Sequence, residues 1–208
     1  MLYLYNNDTN HNPLLNNRIY PRNKGIGKAL CAAILESQPT VSVLLGSRDP
    51  SLGSEAVQSI ISSLPSAEGR IECLELDVTS PSSISTAASR TKDSCPQGLY
   101  GIVNNAGVGF GRSIKETVTV NTLGPKRIND EFMQLLNKEG GRIVNIASAS
   151  GPNFVAKLAD EEKGFYQDYD LGWDDVQRKM EGCWYQPDYD NTGEHWTRSE
   201  AMSCYRNF

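Results

Sequence analysis

Apolar residues recur along residues 24–151 in two alternating patterns. "GKALCAAILES" (27–37) carries them three and four positions apart, the spacing of one buried helix face, whereas "VSVLLG" (41–46) is a short, β-branched-rich run typical of a strand. The pair then repeats. "SEAVQSIISSL" (54–64) has helical spacing and "IECLELDV" (71–78) reads as a strand. "SISTAASRTK" (83–92) is a weaker helix, followed by the strand "LYGIVNN" (99–105). A longer helix is predicted over about 115–137, and "GRIVNIAS" (141–148) is a further strand. Strands separated by helices of this length imply right-handed βαβ units and a parallel sheet.

Both ends depart from the alternation. Residues 1–22 hold no uninterrupted apolar run of core length. Residues 152–208 are acidic and aromatic, and "DYDLGWDDV" and "YQPDYDNTGEHW" supply turn formers more than core. That stretch is expected to be loop-rich, with one short helix near 172–182. A chain of 208 residues is long enough for one sizeable core, so a single domain over 1–208 is expected, with 1–22 an atypical segment and 152–208 an insertion or tail.

Composition narrows the function. A net charge of −5 lacks the basic excess of a nucleic-acid binder. No apolar run approaches the ~20 residues of a membrane span, and "MLYLYNNDTNHNP" has neither the basic nor the apolar region of a signal peptide. A cytoplasmic location is expected. The five cysteines are scattered and never form a CxxC pair, which argues against a zinc site or disulfide framework. With only His11 and His195, far apart, chemistry that pairs His with Ser or Cys has almost no material. The run Asp160, Glu161, Glu162 reads as a solvated face, and Trp173, Trp184 and Trp196 as packing for the tail.

Six segments in order, "NKGIGKAL", "LGSRD", "LDVTS", "IVNNAG", "VNTLG" and "GRIVNIASASG", resemble the short-chain dehydrogenase/reductase family over roughly residues 23–151. The likeness is nearest to its carbonyl-reductase-like branch, where "NKGIG" and a long insertion after the catalytic serine also occur. The resemblance implies an α/β fold with a Rossmann-like doubly wound parallel sheet, incomplete here at the first strand and at the C-terminus. In that strand order the first strand is central. Two segments are candidates for it: "LYLY" (2–5), far from Gly25 in sequence, and "LLNNRIY" (14–20), which places Asn16, Asn17 and Arg18 in a core. The N-terminal 20 residues are therefore expected either to lack order or to supply a makeshift central strand.

For the cofactor, Gly25 and Gly27 remove side chains where backbone approaches a pyrophosphate, and the helix opening near Ile26 aims its N–H groups at it. The family loop carries one more glycine where this chain has Pro21. Arg48 ends a predicted strand, the place where an acid binds the ribose 2′-hydroxyl of NAD and an arginine accommodates the 2′-phosphate of NADP. Lys24 adds a second positive charge, so NADP(H) is the expected cofactor. By resemblance, Asn23 belongs to the same loop, Asp77 and Val78 form the adenine-contacting pair, and Asn104, Ala106 and Gly107 line the adenine-ribose side or brace the sheet.

The family's chemistry uses Asn, Ser, Tyr and Lys. By resemblance, Asn121 is the helix asparagine that helps hold a water relay, and Ser148 hydrogen-bonds the substrate carbonyl, with Ser150 the lesser register. After Ser148 no tyrosine is followed by lysine four residues on; Tyr205, 57 residues after Ser148, is the tyrosine at a suitable distance. The sequence ends at Phe208, one position short of that lysine, and reads as truncated inside the motif. Three readings stand. The first is an NADP-dependent reductase of ketones, aldehydes or quinones acting on a small-molecule carbonyl substrate, with no nucleic-acid, membrane or metal partner and a monomer slightly favoured. The second is an inactive relative that binds nucleotide or a partner, and the third is a non-functional fragment.

Overall fold

The sheet is built from five strands in the order β3-β2-β1-β4-β5, and its middle strand comes from the N-terminal segment. A computed structural model describes residues 2–6, 25–109 and 112–184. The strands are β1 (Leu2–Asn6), β2 (Val41–Ser47), β3 (Ile71–Glu75), β4 (Gly101–Asn104) and β5 (Arg142–Asn145). β2 pairs with β3, and β4 with β5, in parallel, as expected from the helix–strand alternation. β1 does not follow the expected direction. It runs antiparallel to both neighbours, with Leu2 opposite Leu45 and Val103, and Asn6 opposite Val41. Of the two candidates for the centre it is "LYLY" that takes the place; "LLNNRIY" lies outside the described residues.

The helices that flank this sheet start where their capping chemistry says they should. Helix α1 spans Ile26–Ser37, α2 Pro50–Ser63 and α3 Pro81–Ser94. The Asp49 carboxylate accepts from the Ser51 and Leu52 N–H groups at the start of α2, and Ser80 Oγ accepts from Ser83 N–H at the start of α3. Proline at the first helical position of each, Pro50 and Pro81, costs no hydrogen bond there. Helix α1 has no such side-chain cap.

Both faces of the sheet are covered. Four consecutive residues of β2, Val41 to Leu44, are buried, as are all four of β4. On one face Val43 and Val103 pack with Cys31 and Leu35 of α1 and Val57 and Ile60 of α2. Helix α2 lies so close that a Cβ on Gly53 would collide with the Cys73 sulfur and stand 2.7 Å from Ser47 Cβ. β5, like β3, is an outer strand, and its Val144 is 46% exposed.

Two spans differ from expectation. The long helix of about 115–137 is interrupted: α4 (Ile114–Val118) passes through a π turn (Thr119–Leu123) into α5 (Gly124–Phe132), then a 3-10 turn (Met133–Leu135). Pro125 has no N–H to give the Asn121 carbonyl four residues earlier, so the regular ladder cannot continue there. The stretch after residue 150 is helical rather than loop-rich as far as it is described, with α6 (Ser150–Lys157), α7 (Asp160–Gln167) and α8 (Trp173–Trp184). Their apolar positions are sparse; among the described side chains of α8, Val176 and Met180, one turn apart, are buried against Val118. Lys126 lies over the Trp173 ring at 5.1 Å. Among the described residues no helix is long and apolar enough to cross a membrane.

Packing divides the chain into two units. One comprises Met1–Ala106 and Arg127–Ile146, the other Gly107–Lys126 and Ala147–Phe208. In the first, Arg70 ties helix to sheet. Its guanidinium donates to the carbonyls of Leu35, Gln38, Val41 and Ser66 at 2.9–3.0 Å. Leu35 and Gln38 end α1, whose last turn carries no basic residue of its own, so Arg70 satisfies carbonyls the helix leaves open.

Arg70→Ala is expected to lower the urea midpoint at unchanged m-value, a loss of about 2–3 kcal/mol, as for a hydrogen-bonding charged group. Arg70→Lys should recover little of it, because an ammonium cannot reach all these carbonyls at once. Alkali provides a second test. Burial pushes the Cys31 thiol from its ordinary 9.0 up to about 12. The folded state thus keeps the neutral thiol while the unfolded chain ionises first. That contribution to stability is complete below pH 9.0 and is lost as pH rises toward about 12. In urea titrations across this window, Cys31→Ala should show a shallower loss of stability than the natural chain.

Candidate functional site

Helix α1 opens on Gly25 with φ 104, a conformation that suits glycine, and a Cβ added there would meet nothing within 4 Å. The first ladder bond reaches back from Ala29 N–H to Gly25 O, so the N–H groups of Ile26, Gly27 and Lys28 precede the helical ladder. α2, α3 and α4 spend carboxylate or hydroxyl groups on the corresponding donors; α1 has no side-chain cap. Ile26 beside them is 66% exposed. Such a terminus carries partial positive charge and, among the described residues, donors without a side-chain cap, the requirement of a phosphate site.

Gly27 serves a different purpose from Gly25. A Cβ on it would stand 2.6 Å from Asn105 Nδ2, so its missing side chain lets α1 close on the end of β4. That packing brings the helix terminus to the carboxyl edge of the parallel strands. The same edge carries Arg48 after β2, Asp77 and Val78 after β3, and Asn104 to Ala106 at the end of β4. Arg48 is exposed and makes no hydrogen bond or ion pair among the described residues. Its neighbour Asp49 is committed to capping α2. Asp77 accepts from the Thr79 N–H and hydroxyl through one oxygen and shapes the turn, while Val78 is buried.

Asn104 is spent on bracing. Its Nδ2 donates to Asn145 Oδ1 at 2.7 Å and to Asn129 Oδ1 at 3.0 Å, joining the ends of β4 and β5 to α5. Asn104 is 3% exposed, and its own Oδ1 is buried without a partner among the described residues. Sequence reasoning missed Asn129 and Asn145. A signal for Asn145 was present, a polar residue directly after the apolar pair Ile143-Val144 of β5.

In the second unit Asn121 lies on the π turn, buried, with its amide turned to one peptide. Oδ1 accepts from Val108 N–H and Nδ2 donates to Val108 O, both at 2.8 Å. One Nδ2 hydrogen and one Oδ1 lone pair remain for any relay. The amide fixes the loop that follows exposed Gly107. Ser148 is half-buried at the entrance to α6, and its Oγ accepts from Ser150 N–H at 3.1 Å. The hydroxyl oxygen is thereby oriented while its hydrogen stays available to donate. Tyr205, Asn23 and Lys24 lie outside the described residues. Among those described, no cluster of His, Cys, Asp and Glu is arranged to hold a metal ion.

With this geometry in place, comparison with known proteins is specific. The short chain dehydrogenase family profile matches residues 21–159. The chain is 34% identical to mouse (Mus musculus) retinol dehydrogenase 5 over 137 residues, 61% of this chain and 40% of that protein. It is 30% identical to (+)-neomenthol dehydrogenase of Arabidopsis thaliana over 156 residues, 62% of this chain and 52% of that protein. It thus spans about half the length, or less, of these relatives. Menthone neomenthol reductase from Mentha piperita shares the fold with TM-score 0.74 at 21% identity, over 88% of this chain and 77% of that one. A metagenomic short-chain oxidoreductase in complex with NADP aligns with TM-score 0.52 at 25% identity, over 62% of this chain and 58% of that one.

The contact between Gly27 and Asn105 is open to a double-mutant test. Gly27→Ala should cost about 1 kcal/mol of stability, the low end of overpacking, because the group it meets is the end of the Asn105 side chain. Asn105→Ala should relieve most of that cost when combined with it, giving clearly non-additive denaturation energies. Additive effects would mean that Asn105 is not what Gly27 accommodates.

Proposed function

The chain belongs to the short-chain dehydrogenase family, an oxidoreductase family, and on that premise we propose that it binds NADP(H) and reduces the carbonyl group of a small ketone, aldehyde or quinone in the cytoplasm. The observation that carries the cofactor half is the start of α1, without a side-chain cap, at the same sheet edge as Arg48, which has no partner among the described residues. Gly25 leaves the α1 donors open to a pyrophosphate, and Gly27 brings them to the carboxyl edge of the sheet. Arg48 stands after β2, where a carboxylate would select the 2′-hydroxyl of NAD and repel a 2′-phosphate. A relative in complex with NADP supports the same choice.

The reduced nicotinamide, when bound, supplies the hydride. The protein's part is to place the carbonyl and deliver a proton to its oxygen. Ser148 suits the first task, since its oxygen is held by the Ser150 N–H and its hydrogen is left to donate. Asn121 holds the Val108 peptide and so fixes the loop after "NNAG". Tyr205 is assigned the proton transfer from its place in the sequence alone. The retinol and neomenthol dehydrogenases among the relatives support a hydrophobic alcohol–carbonyl pair as the substrate class.

Fluorescence titration is expected to show tighter binding of NADPH than NADH, and Arg48→Asp should abolish or invert the preference. Equal affinities in the natural chain would sink the NADP assignment. In NADPH oxidation with quinone, aldehyde and ketone substrates, Ser148→Ala should lower kcat by about 10²–10³, the usual effect of losing one donor to a developing oxyanion. An NADPH-dependent rise in Tm without turnover of any carbonyl would favour the reading of an inactive nucleotide-binding relative.

A further inference from the structure

Helix α6 begins two residues after Ser148, and its first peptide N–H, that of Ser150, is the group that holds the Ser148 oxygen. The setting of that hydroxyl therefore follows the setting of α6. A helix of eight residues does not hold its own position in water. What holds this one is an aromatic cluster. Phe154 and Val155, on the buried side of α6, pack against Tyr166 of α7, with Leu158 and Phe165 at the margin. The Phe154 and Tyr166 rings meet edge to face, centroids 5.6 Å apart and planes at 87°. Phe165 meets Tyr166 in the same manner at 5.3 Å and 81°. Lys179, from α8, closes the group, its Nζ 5.5 Å from the Phe165 ring centre and 5.8 Å from that of Tyr166. Edge-to-face and cation–ring contacts are directional, so they fix the rotation of α6 as well as its distance from α7.

We propose that Phe154, Tyr166 and Lys179 form a latch that holds α6 and thereby presents the Ser148 hydroxyl to the substrate carbonyl. The proposal rests on the reductase reading given above. These three are positioning residues: they act through α6 and Ser150, and they touch neither substrate nor cofactor. The tail after residue 150 thus acquires a function in catalysis through three of its side chains. Its acidic residues Asp160 and Glu161 are exposed and take no part.

The test uses the full chain with Phe154→Ala, Tyr166→Ala and Tyr166→Phe. Two readouts are followed: amide exchange by mass spectrometry over residues 147–158, with β2 and β4 as internal controls, and NADPH oxidation with a quinone. Both alanine variants should exchange faster over 147–158 and leave β2 and β4 unchanged. Their kcat should fall about 10–100-fold, the scale of a misplaced reacting group, with KM for NADPH unchanged. Tyr166→Phe keeps the ring and both its faces, so it should stay far closer to the natural chain than Tyr166→Ala in both exchange and kcat. Unchanged exchange over 147–158 in Phe154→Ala overturns the latch whatever the turnover. Faster exchange with unchanged kcat overturns it as well. Should the alanine variants lose protection throughout, Phe154→Leu and Lys179→Met, which keep most of the volume, decide by the same two readouts. A natural chain that oxidises no NADPH fails the reductase reading, and the exchange result then decides the latch on its own.

Discussion

Strands β2 and β4 face each other across a gap one strand wide, and each would carry a row of unpaired peptide groups along that edge if nothing filled it. A buried peptide group without a partner costs as much as a lost hydrogen bond, so the gap must be occupied by backbone. β1 occupies it. Hydrogen bonding requires only that some extended segment lie there; it does not require a particular direction, and β1 runs antiparallel to both neighbours. The outer pairs stay parallel because each is joined by a helix crossing the sheet. Everything placed at the carboxyl edge of β2, β3 and β4 depends on this central pairing, including Arg48, Asp77 and Asn104.

The direction of β1 has a consequence for the helix that follows. Asn6 pairs opposite Val41, where β2 begins, while α1 opens near Asn105, where β4 ends. The turn at Gly25 is therefore not the immediate continuation of the central strand, as it is in a parallel βαβ unit. The placement of α1 is secured by other means: Gly27 against Asn105 at its start and the Arg70 guanidinium on its closing carbonyls. The donors at its start remain uncapped, and that is the property a dinucleotide needs.

In the other unit the polar groups that matter are oriented by backbone contacts rather than by side-chain pairs. Asn121 grips the Val108 peptide, and Ser148 is held by the Ser150 peptide. Pro125 removes the donor that the Asn121 carbonyl would meet in a regular α-helix, and the π turn around Asn121 accommodates it. Helices α6 to α8 have little core to share, and a few ring contacts carry their packing.

The sequence by itself determined what depends on local spacing. The period of apolar residues marked α1, α2, α3 and the strands β2 to β5, because burial on one face selects the same spacing wherever it occurs. The same spacing began α2 at 54 and α3 at 83, whereas the structure starts them at Pro50 and Pro81, behind the Asp49 and Ser80 caps. The ordered motifs identified the family. α6 and α7 escaped notice because each is only eight residues long, about two turns, too short for an apolar period to repeat. Only the tertiary structure decided the direction of β1, since an extended segment reads alike from either end. It also decided that Gly27 answers to Asn105, that Arg70 closes α1, and that Asn104 braces Asn129 and Asn145. Those partners lie 25 to 78 residues apart, and no local pattern can announce a contact that exists only once the sheet has brought its two sides together.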